Sequence, residues 1–281
     1  MLSMWGSTRL VVAFEADSVC GAMIGSGPGA ARVKAFARAE ISPGALTPAA
    51  FEPNLVRGDE VGAALEQVRR LLDVGSRGVC VVVPDGLART ALLDFPSGVD
   101  ASDFARFRLA SGLPFPESDA IVDSLPVGRR QLIAAAARRA VLAEYEVAVA
   151  EAGFRQERLT LAPLAAVAGL LKNRESGARA IDVILGVVAV TIVSSSGSAP
   201  CALRNRRRSG HDRDWEWLSE EIQRSAPCPE ASGPIALNIV GHGSRDAIAA
   251  LRTLGHTPQA GWVGIHAPSD AADAAWLGGL E

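Results

Sequence analysis

Two segments of this chain decide its fold: Arg9–Ile24, RLVVAFEADSVCGAMI, and Ala180–Val193, AIDVILGVVAVTIV. Each contains two short apolar strands and a turn, and each is followed by a third strand, an amphipathic helix and a buried strand. The predicted elements are Arg9–Phe14, Val19–Ile24, Arg32–Glu40, Asp59–Leu72 and Val79–Val83, and then Ala180–Leu185, Val187–Val193, Cys201–Arg206, Asp214–Arg224 and Ile235–Val240. A unit that recurs at this size indicates a duplicated architecture. The sequence therefore predicts an α/β protein with two facing lobes and a cleft between them.

The composition limits the classes of partner. Of the 281 residues 48% are hydrophobic and 21% are charged, which is enough apolar material for two compact lobes. Lys and Arg number 28 against 31 for Asp and Glu, a net charge of −3, so no overall positive field attracts nucleic acid. The longest apolar stretch, Ile181–Val193, is shorter than the roughly 20 residues that a membrane-spanning helix needs. We expect neither nucleic-acid binding nor direct membrane insertion.

The cysteines and histidines do not form a metal-binding pattern. No C-x-x-C pair occurs, and the histidines are far apart in the chain, at His211, His242, His256 and His266. Cys20, Cys80 and Cys201 fall inside apolar strands, where a thiol usually behaves as a small buried hydrophobe. The sequence predicts no metal site and favours a reducing, cytoplasmic compartment.

One region interrupts the duplication. Residues 91–153 contain predicted strands at Ala91–Phe95, Ala120–Pro126 and Gln131–Ala136, a helix at Ser102–Ser111 and a second helix that ends at Glu151. We interpret residues 91–153 as an inserted small α+β subdomain. The first lobe then comprises residues 1–90 and 154–175, with a helix predicted over Leu159–Leu171, and the second lobe comprises residues 176–281 with little or no insertion.

Several collinear segments carry a resemblance to a known family. They are Val79–Pro84, Leu93–Pro96, Leu113–Phe115, the stretch from Leu132 to Phe154 ending in Glu-Ala-Gly-Phe, Leu218–Ser225 and Ile235–Ser244. In this order they resemble the PilM family of type IV pilus assembly proteins and the related cytoplasmic domain of the GspL family of type II secretion. The resemblance implies a duplicated actin-like, FtsA-like fold of the ribonuclease H-like type.

The phosphate-binding hairpins of this fold can be located in the sequence. Actin-like ATPases begin each hairpin with Asp-Ile-Gly, because the carboxylate positions Mg²⁺ and the glycine lets backbone amides approach the phosphates. The first hairpin has Ala13, Phe14 and Glu15 at these positions, and the second has Asp182, Val183 and Ile184. A negative side chain at Glu15 and a β-branched one at Ile184 would oppose a bound triphosphate. This pattern predicts a degenerate cleft without ATP hydrolysis, and it favours a structural role for the Asp182 carboxylate.

A second glycine-rich turn is retained. Gly241-His242-Gly243-Ser244 lies between a buried strand and the helix predicted at Arg245–Leu254, where the family's Gly-Gly turn contacts adenosine. If a nucleotide binds, we expect Asp182, Gly241 and Gly243 to contact it. The same pattern is also a common structural joint.

Three other groups of residues do not carry a recognisable catalytic or polyanion-binding motif. The basic cluster Arg204, Arg206, Arg207 and Arg208 lacks interleaved aromatic residues, so a solvated turn is favoured over a polyanion site. Trp215 and Trp217 lie two apart on a predicted helix and cannot share one face, so one of them is a candidate partner contact. Ser244 lies outside a G-x-S-x-G motif, which argues against a hydrolase triad.

The sequence leads to one main hypothesis and two alternatives. The main hypothesis is a cytoplasmic actin-like scaffold of a type IV pilus or type II secretion inner-membrane platform, a pseudo-ATPase without catalytic residues or a cofactor. By resemblance, its partners are the N-terminal cytoplasmic tail of a PilN-like single-pass membrane protein and other platform proteins, so it lies at the inner membrane only through a partner. The first alternative is a working ATP-binding member with Mg²⁺. The second is a sugar-kinase-like or acetate-kinase-like enzyme.

Overall fold

A computed structural model describes residues 8–25, 31–75, 78–208, 215–225, 234–261, 265–266 and 274–279. The strands are β1 Thr8–Glu15, β2 Ser18–Gly25, β3 Ala31–Glu40, β4 Gly78–Val83, β5 Ala88–Asp94, β6 Ala120–Gly128, β7 Gln131–Arg138, β8 Arg155–Leu161, β9 Arg179–Leu185, β10 Ala189–Ser196, β11 Ala199–Arg207, β12 Ile235–Gly241, β13 Pro258–Ala260 and β14 Ile265–His266. The helices are α1 Gly58–Leu71, α2 Ala101–Ala110, α3 Arg139–Glu151, α4 Ala162–Lys172, α5 Glu216–Arg224 and α6 Ser244–Thr253, with 3₁₀ helices at Glu117–Asp119 and Ala275–Gly279.

The two large sheets repeat one topology, which confirms the predicted duplicated α/β fold. In the first sheet the strand order is β14-β3-β2-β1-β4-β8, and in the second it is β11-β10-β9-β12-β13. In each sheet the first three strands along the chain pair antiparallel. The first of these three also pairs in parallel with the strand that follows the helix: β1 pairs with β4, and β9 pairs with β12. Parallel strands need a crossover connection, and helices α1 and α5 provide it.

Helices cover both faces of the sheets. On one face of the first sheet, residues of α1 and α3 pack in a single core against Leu10, Val12 and Phe14 of β1. The other face, with Val11 and Ala13, packs against α4 and the C-terminal 3₁₀ helix. The second sheet has α5 and α6 on one side and α4 on the other. Helix α4 therefore lies between the two lobes.

The chain leaves the first lobe to form a small third sheet. Its strand order is β5-β7-β6, and helix α2 packs on it through Ala105 and Leu109. Helix α3 follows β7 and belongs to the core of the first lobe, where Tyr145 is fully buried. The predicted domain boundaries at residues 91 and 153 stay a prediction.

The sequence prediction missed three of the described strands, β8, β13 and β14. Residues 159–161 were assigned to a helix, but they end β8, which pairs in parallel with β4. Helix α4 starts only at Ala162, with Pro163 in its first turn. Leu159 and Leu161 are apolar in either conformation, so hydrophobicity alone does not separate a strand end from the following helix.

The cysteines divide into two groups. Cys20 and Cys80 are buried free thiols, as predicted, and burial raises the pKa of both. For Cys201 the prediction of a buried hydrophobe is wrong, because Cys201 is exposed on β11. Strand β11 lies at the edge of its sheet, so apolar neighbours in sequence do not guarantee burial there.

A buried polar network fastens the loop between β3 and α1 to helix α3. Asn54 is fully buried, its side-chain nitrogen donates to the carbonyl oxygens of Ala49 and Glu52, and its side-chain oxygen accepts from the Ala49 amide. The Tyr145 hydroxyl donates to the same oxygen at 2.9 Å, and its ring packs edge-on against Phe14 at 4.9 Å between centroids. Buried polar groups that lose their partners are costly, so this network fixes the loop beside the first hairpin.

We predict different losses for two changes in this network. Tyr145→Phe removes one hydrogen bond and should lower the free energy of unfolding by about 1 kcal/mol, because the Ala49 amide still donates to Asn54. Asn54→Ala strands several buried groups and should cost about 3 kcal/mol or more. Urea denaturation measures both. Phe107→Ala on exposed α2 is the control with little effect, and equal losses for the two network variants would contradict this account.

Candidate functional site

The cleft between the lobes is almost closed. It encloses a cavity of about 60 Å³. Its walls are the two hairpins, the turn after β4, the turn after β12, the start of α4 and the C-terminal 3₁₀ helix: Phe14, Glu15, Ala16, Pro84, Asp85, Ala162, Pro163, Ile184–Val187, Ala189, Gly241, His242, Ala275 and Trp276. The space is sufficient for a few water molecules, since one water needs at least about 10–15 Å³.

The first hairpin contributes Glu15, whose charge is already compensated within the protein. Trp276 donates its indole N–H to Glu15 at 3.2 Å, the Ser18 hydroxyl donates at 3.1 Å, and the Arg38 guanidinium lies 3.7 Å away. Strands β1 and β2 pair up to Glu15 and Ser18, so only two residues form the turn. The hairpin therefore holds a carboxylate at the position where the actin-like pattern expects a glycine.

The second hairpin turns at Gly186, between the two strands that the sequence predicts, and its turn extends to Ala189. Strands β9 and β10 pair up to Leu185 and Val190, and the Gly186 amide donates to the Ala189 carbonyl. We call Gly186–Ala189 the hairpin tip. Ile184, which the sequence places at the glycine of the Asp-Ile-Gly pattern, lies in the cleft wall. Gly186 forms the turn of the hairpin.

Asp182 does not line this cavity. It is 1% exposed and accepts hydrogen bonds from the Arg174 guanidinium at 2.6 Å and from the Asn238 side-chain amide at 2.7 Å. Gln259 donates to Asn238 at 2.8 Å, so the network crosses three neighbouring strands of the second sheet. Asp182 thus joins the sheet to the connection after α4, and removing either partner of such a buried pair is strongly destabilising.

The two glycines of the turn after β12 have different surroundings. Gly241 lines the cavity and has φ of 95°. A Cβ at Gly241 would lie 2.2 Å from the Leu185 carbonyl oxygen, so packing alone requires glycine. Gly243 has φ of 72°, precedes α6 and is not part of the cavity wall.

Asp85 lies in the turn after β4 and lines the cleft. It follows β4 in the first lobe, is 6% exposed, and accepts a hydrogen bond from the Ala189 amide at the hairpin tip of the second lobe. Burial raises the pKa of Asp85 to about 6, against the lowering effect of backbone hydrogen bonds from Ala189 and Val188. Only the tertiary fold brings this turn to the second lobe.

The C-terminal 3₁₀ helix closes another side of the cleft. Trp276 is 4% exposed and packs in the core that joins β1, β4 and α4. Leu277 is fully buried in the same core. The sequence contained no signal for this contact, because the segment lies more than 250 residues from Glu15.

The cavity in the cleft is small, and the carboxylates at its wall are already paired. Pockets for drug-sized ligands occupy roughly 300–1,000 Å³, several times the volume of this cavity. The carboxylates at its wall, Glu15 and Asp85, are both engaged by protein donors. In the part of the chain that the structure describes, no three His, Cys, Asp or Glu side chains are grouped so as to hold a metal ion.

The basic cluster and the two tryptophans form one patch, which corrects the predicted separation of the tryptophans. Helix α5 begins only at Glu216, so Trp215 precedes it, and the two indoles stack with centroids 6.4 Å apart. The Arg206 guanidinium lies 4.6 Å above the Trp217 ring. Arg204 and Arg206 also pair with Glu221, and these partners reduce the charge available to a polyanion. His211 and the predicted start of this helix at Asp214 lie outside the described residues.

A groove on the first lobe is the second candidate surface. It has a volume of about 240 Å³ and lies between β8, α3 and the third sheet. Its wall consists of Ala88, Ile121, Asp123, Ala135, Ala137, Leu142, Glu146, Leu159, Thr160, Leu161 and Leu164, which we call the docking groove. Within the described ranges, β8 pairs only with β4 and β6 only with β7, so two strand edges flank this groove.

None of the helices in the described ranges combines the length and the apolar character that crossing a membrane requires. No protein-family model matches the sequence, and no curated protein matches it either.

Solved structures resemble the chain along its whole length. A chain of a PilM-PilN type IV pilus biogenesis complex superposes with a TM-score of 0.75 at 18% identity, covering 97% of this chain and 98% of that one. The cytoplasmic domain of EpsL, an inner-membrane component of the type II secretion system of Vibrio cholerae, gives 0.56 at 11% identity, covering 98% and 95%. A Bacteroides thetaiotaomicron protein of unknown function with an actin-like ATPase fold gives 0.59 at 9% identity, covering 99% and 98%. The chain has the actin-like ATPase fold.

Proposed function

We propose that this protein is a cytoplasmic scaffold of a type IV pilus or type II secretion inner-membrane platform, and that it binds a membrane partner without hydrolysing ATP. The observation that carries the proposal is the end-to-end similarity to the PilM chain of a PilM-PilN complex, at a TM-score of 0.75. The EpsL domain, of similar length, supports the same setting. The partner would be the N-terminal cytoplasmic tail of a PilN-like single-pass membrane protein, which would hold this chain at the inner membrane.

The docking groove is suited to an extended peptide. Strand edges present unpaired amide and carbonyl groups, and a peptide can add to such an edge as a further strand. Leu159–Leu161 of β8 and Ile121 of β6 offer apolar contacts beside these edges. Asp123 and Glu146 contribute two carboxylates, which favour a basic residue in the peptide.

The closed cleft supports a role that does not depend on nucleotide. Lobe closure in actin-like ATPases uses a nucleotide as a bridge, whereas here Glu15, Asp85 and Trp276 make protein contacts across the same space. A scaffold needs a stable shape more than a catalytic cycle. The competing hypothesis, a working ATP-binding member, would require the lobes to separate and Gly241 to accept an adenosine.

Mg-ATP is expected to produce no binding heat in isothermal titration with the wild-type protein, because the cavity of about 60 Å³ cannot admit it. Asp182→Ala should also show no binding, and it should lose about 3–5 kcal/mol of stability, because Arg174 is left buried without its partner. Asp182→Asn keeps the shape of the side chain, so it separates an effect on nucleotide binding from a loss of stability. Micromolar binding that Asp182→Asn abolishes would replace the proposal by the ATP-binding alternative.

The second prediction concerns the docking groove. Ile121→Arg should weaken binding of a synthetic PilN-like N-terminal tail at least tenfold, since it places a charge on a half-buried apolar contact worth about 1.4 kcal/mol or more. Leu125→Arg is the matched control, because Leu125 lies on the same face of β6 but outside the groove wall and is 57% exposed. Fluorescence anisotropy of the labelled tail measures both. Equal binding by both variants would place the partner elsewhere.

A further inference from the structure

The turn after β4 reaches across the cleft. Pro84-Asp85-Gly86 connects β4 to β5, and Gly86 adopts φ of 86°, which favours glycine. A Cβ on Gly86 would lie 2.8 Å from a methyl group of Val188 in the second lobe. The turn is therefore in close contact with the hairpin tip, about 100 residues away in sequence.

The hairpin tip is shaped around the Asp85 carboxylate. The Ala189 amide donates to Oδ2 of Asp85, and the Val188 amide also donates to this carboxylate. A Cβ on Gly186 would lie 2.1 Å from Oδ2 of Asp85, so Gly186 leaves the space that the carboxylate occupies. Two amide donors and a glycine form a small anion cradle, of the kind that backbone N–H groups in turns provide.

We propose that Asp85 is an internal anionic ligand of the hairpin tip, and that it latches the two lobes in the closed form without a nucleotide. A carboxylate and a phosphate oxygen accept the same backbone N–H groups. Asp85 therefore satisfies donors that would otherwise need a ligand or water inside the cleft. The inference deepens the proposed nucleotide-independent scaffold, and its contacts do not depend on a pilus or secretion partner.

Two opposing effects act on the ionisation of Asp85: the positive charge of Arg208 favours it and burial opposes it. Arg208 attracts the carboxylate, donates from its guanidinium to the Gly186 carbonyl at 3.0 Å, and donates from its backbone amide to Val188. Burial opposes ionisation and is the largest effect on the pKa of Asp85, which it raises to about 6. Glu15 on the first hairpin and His242 after β12 are the other titratable groups of the cleft wall.

Amide hydrogen exchange tests the latch directly. Asp85→Ala should speed the exchange of the Val188 and Ala189 amides at least tenfold, because both donors lose their acceptor. Asp85→Asn retains a side-chain oxygen and should keep most of the protection. Asp94→Ala, an exposed aspartate at the end of β5, is the control and should leave the hairpin tip unchanged.

A second variant covers the case in which Asp85→Ala fails to fold. Gly186→Ala puts a methyl group where the carboxylate lies and should speed exchange of the same two amides while Asp85 is still present. Unchanged exchange at the hairpin tip in the variant or variants that fold would overturn the latch. Unchanged tail binding by Ile121→Arg, together with faster exchange at the hairpin tip in Asp85→Ala, would instead count against the proposed docking groove alone.

The pH dependence of stability provides an independent prediction. Because the pKa of Asp85 is raised from 3.8 to about 6 in the folded protein, its protonated form is favoured by folding. The contribution of protonated Asp85 to the free energy of unfolding is fully present below about pH 4 and is lost as the pH rises through about 6. Wild-type Tm should therefore fall across this window relative to Asp85→Asn, which has no proton to lose. Parallel Tm profiles of the two proteins, with Glu15 and His242 unchanged, would contradict a buried carboxyl at this position.

Discussion

Helix α4 imposes the constraint on which the rest of the structure depends. Seven of its eleven residues are buried, among them Pro163, Val167 and Leu170, because it lies between the two large sheets. A helix that is apolar on nearly every side has to be enclosed. The two lobes therefore share one helix as a common wall, and this arrangement brings the hairpins of both lobes to a single narrow cleft.

The polar ends of the hairpins then have to be satisfied inside that cleft. Buried backbone amides need acceptors, and in a cavity of about 60 Å³ these are protein groups or a few water molecules. Asp85 supplies an acceptor to the second hairpin, and Trp276 supplies a donor to Glu15 on the first. Protein groups thus satisfy the polar ends of both hairpins within the cleft.

The regular elements follow from local pattern. The apolar runs of the sequence located eleven of the fourteen strands in the described ranges. They missed β8, β13 and β14, which are short or lie directly beside a helix. The prediction that Trp215 and Trp217 are separated is wrong because the helix starts at Glu216, two residues later than its pattern suggests. Helix boundaries depend on capping and tertiary contacts, which residue periodicity does not contain.

The sequence by itself determined the duplicated order of strands and helices, because strand and helix periods are local properties of hydrophobic spacing. It also identified Glu15 and Gly241 as residues of the cleft wall. Only the tertiary structure decided that Asp182 faces Arg174 in the sheet, that Asp85 meets the hairpin tip and that Trp276 closes the cleft. These contacts join residues from distant parts of the chain or side chains whose direction depends on the strand register, and neither is fixed until the two sheets pack around α4.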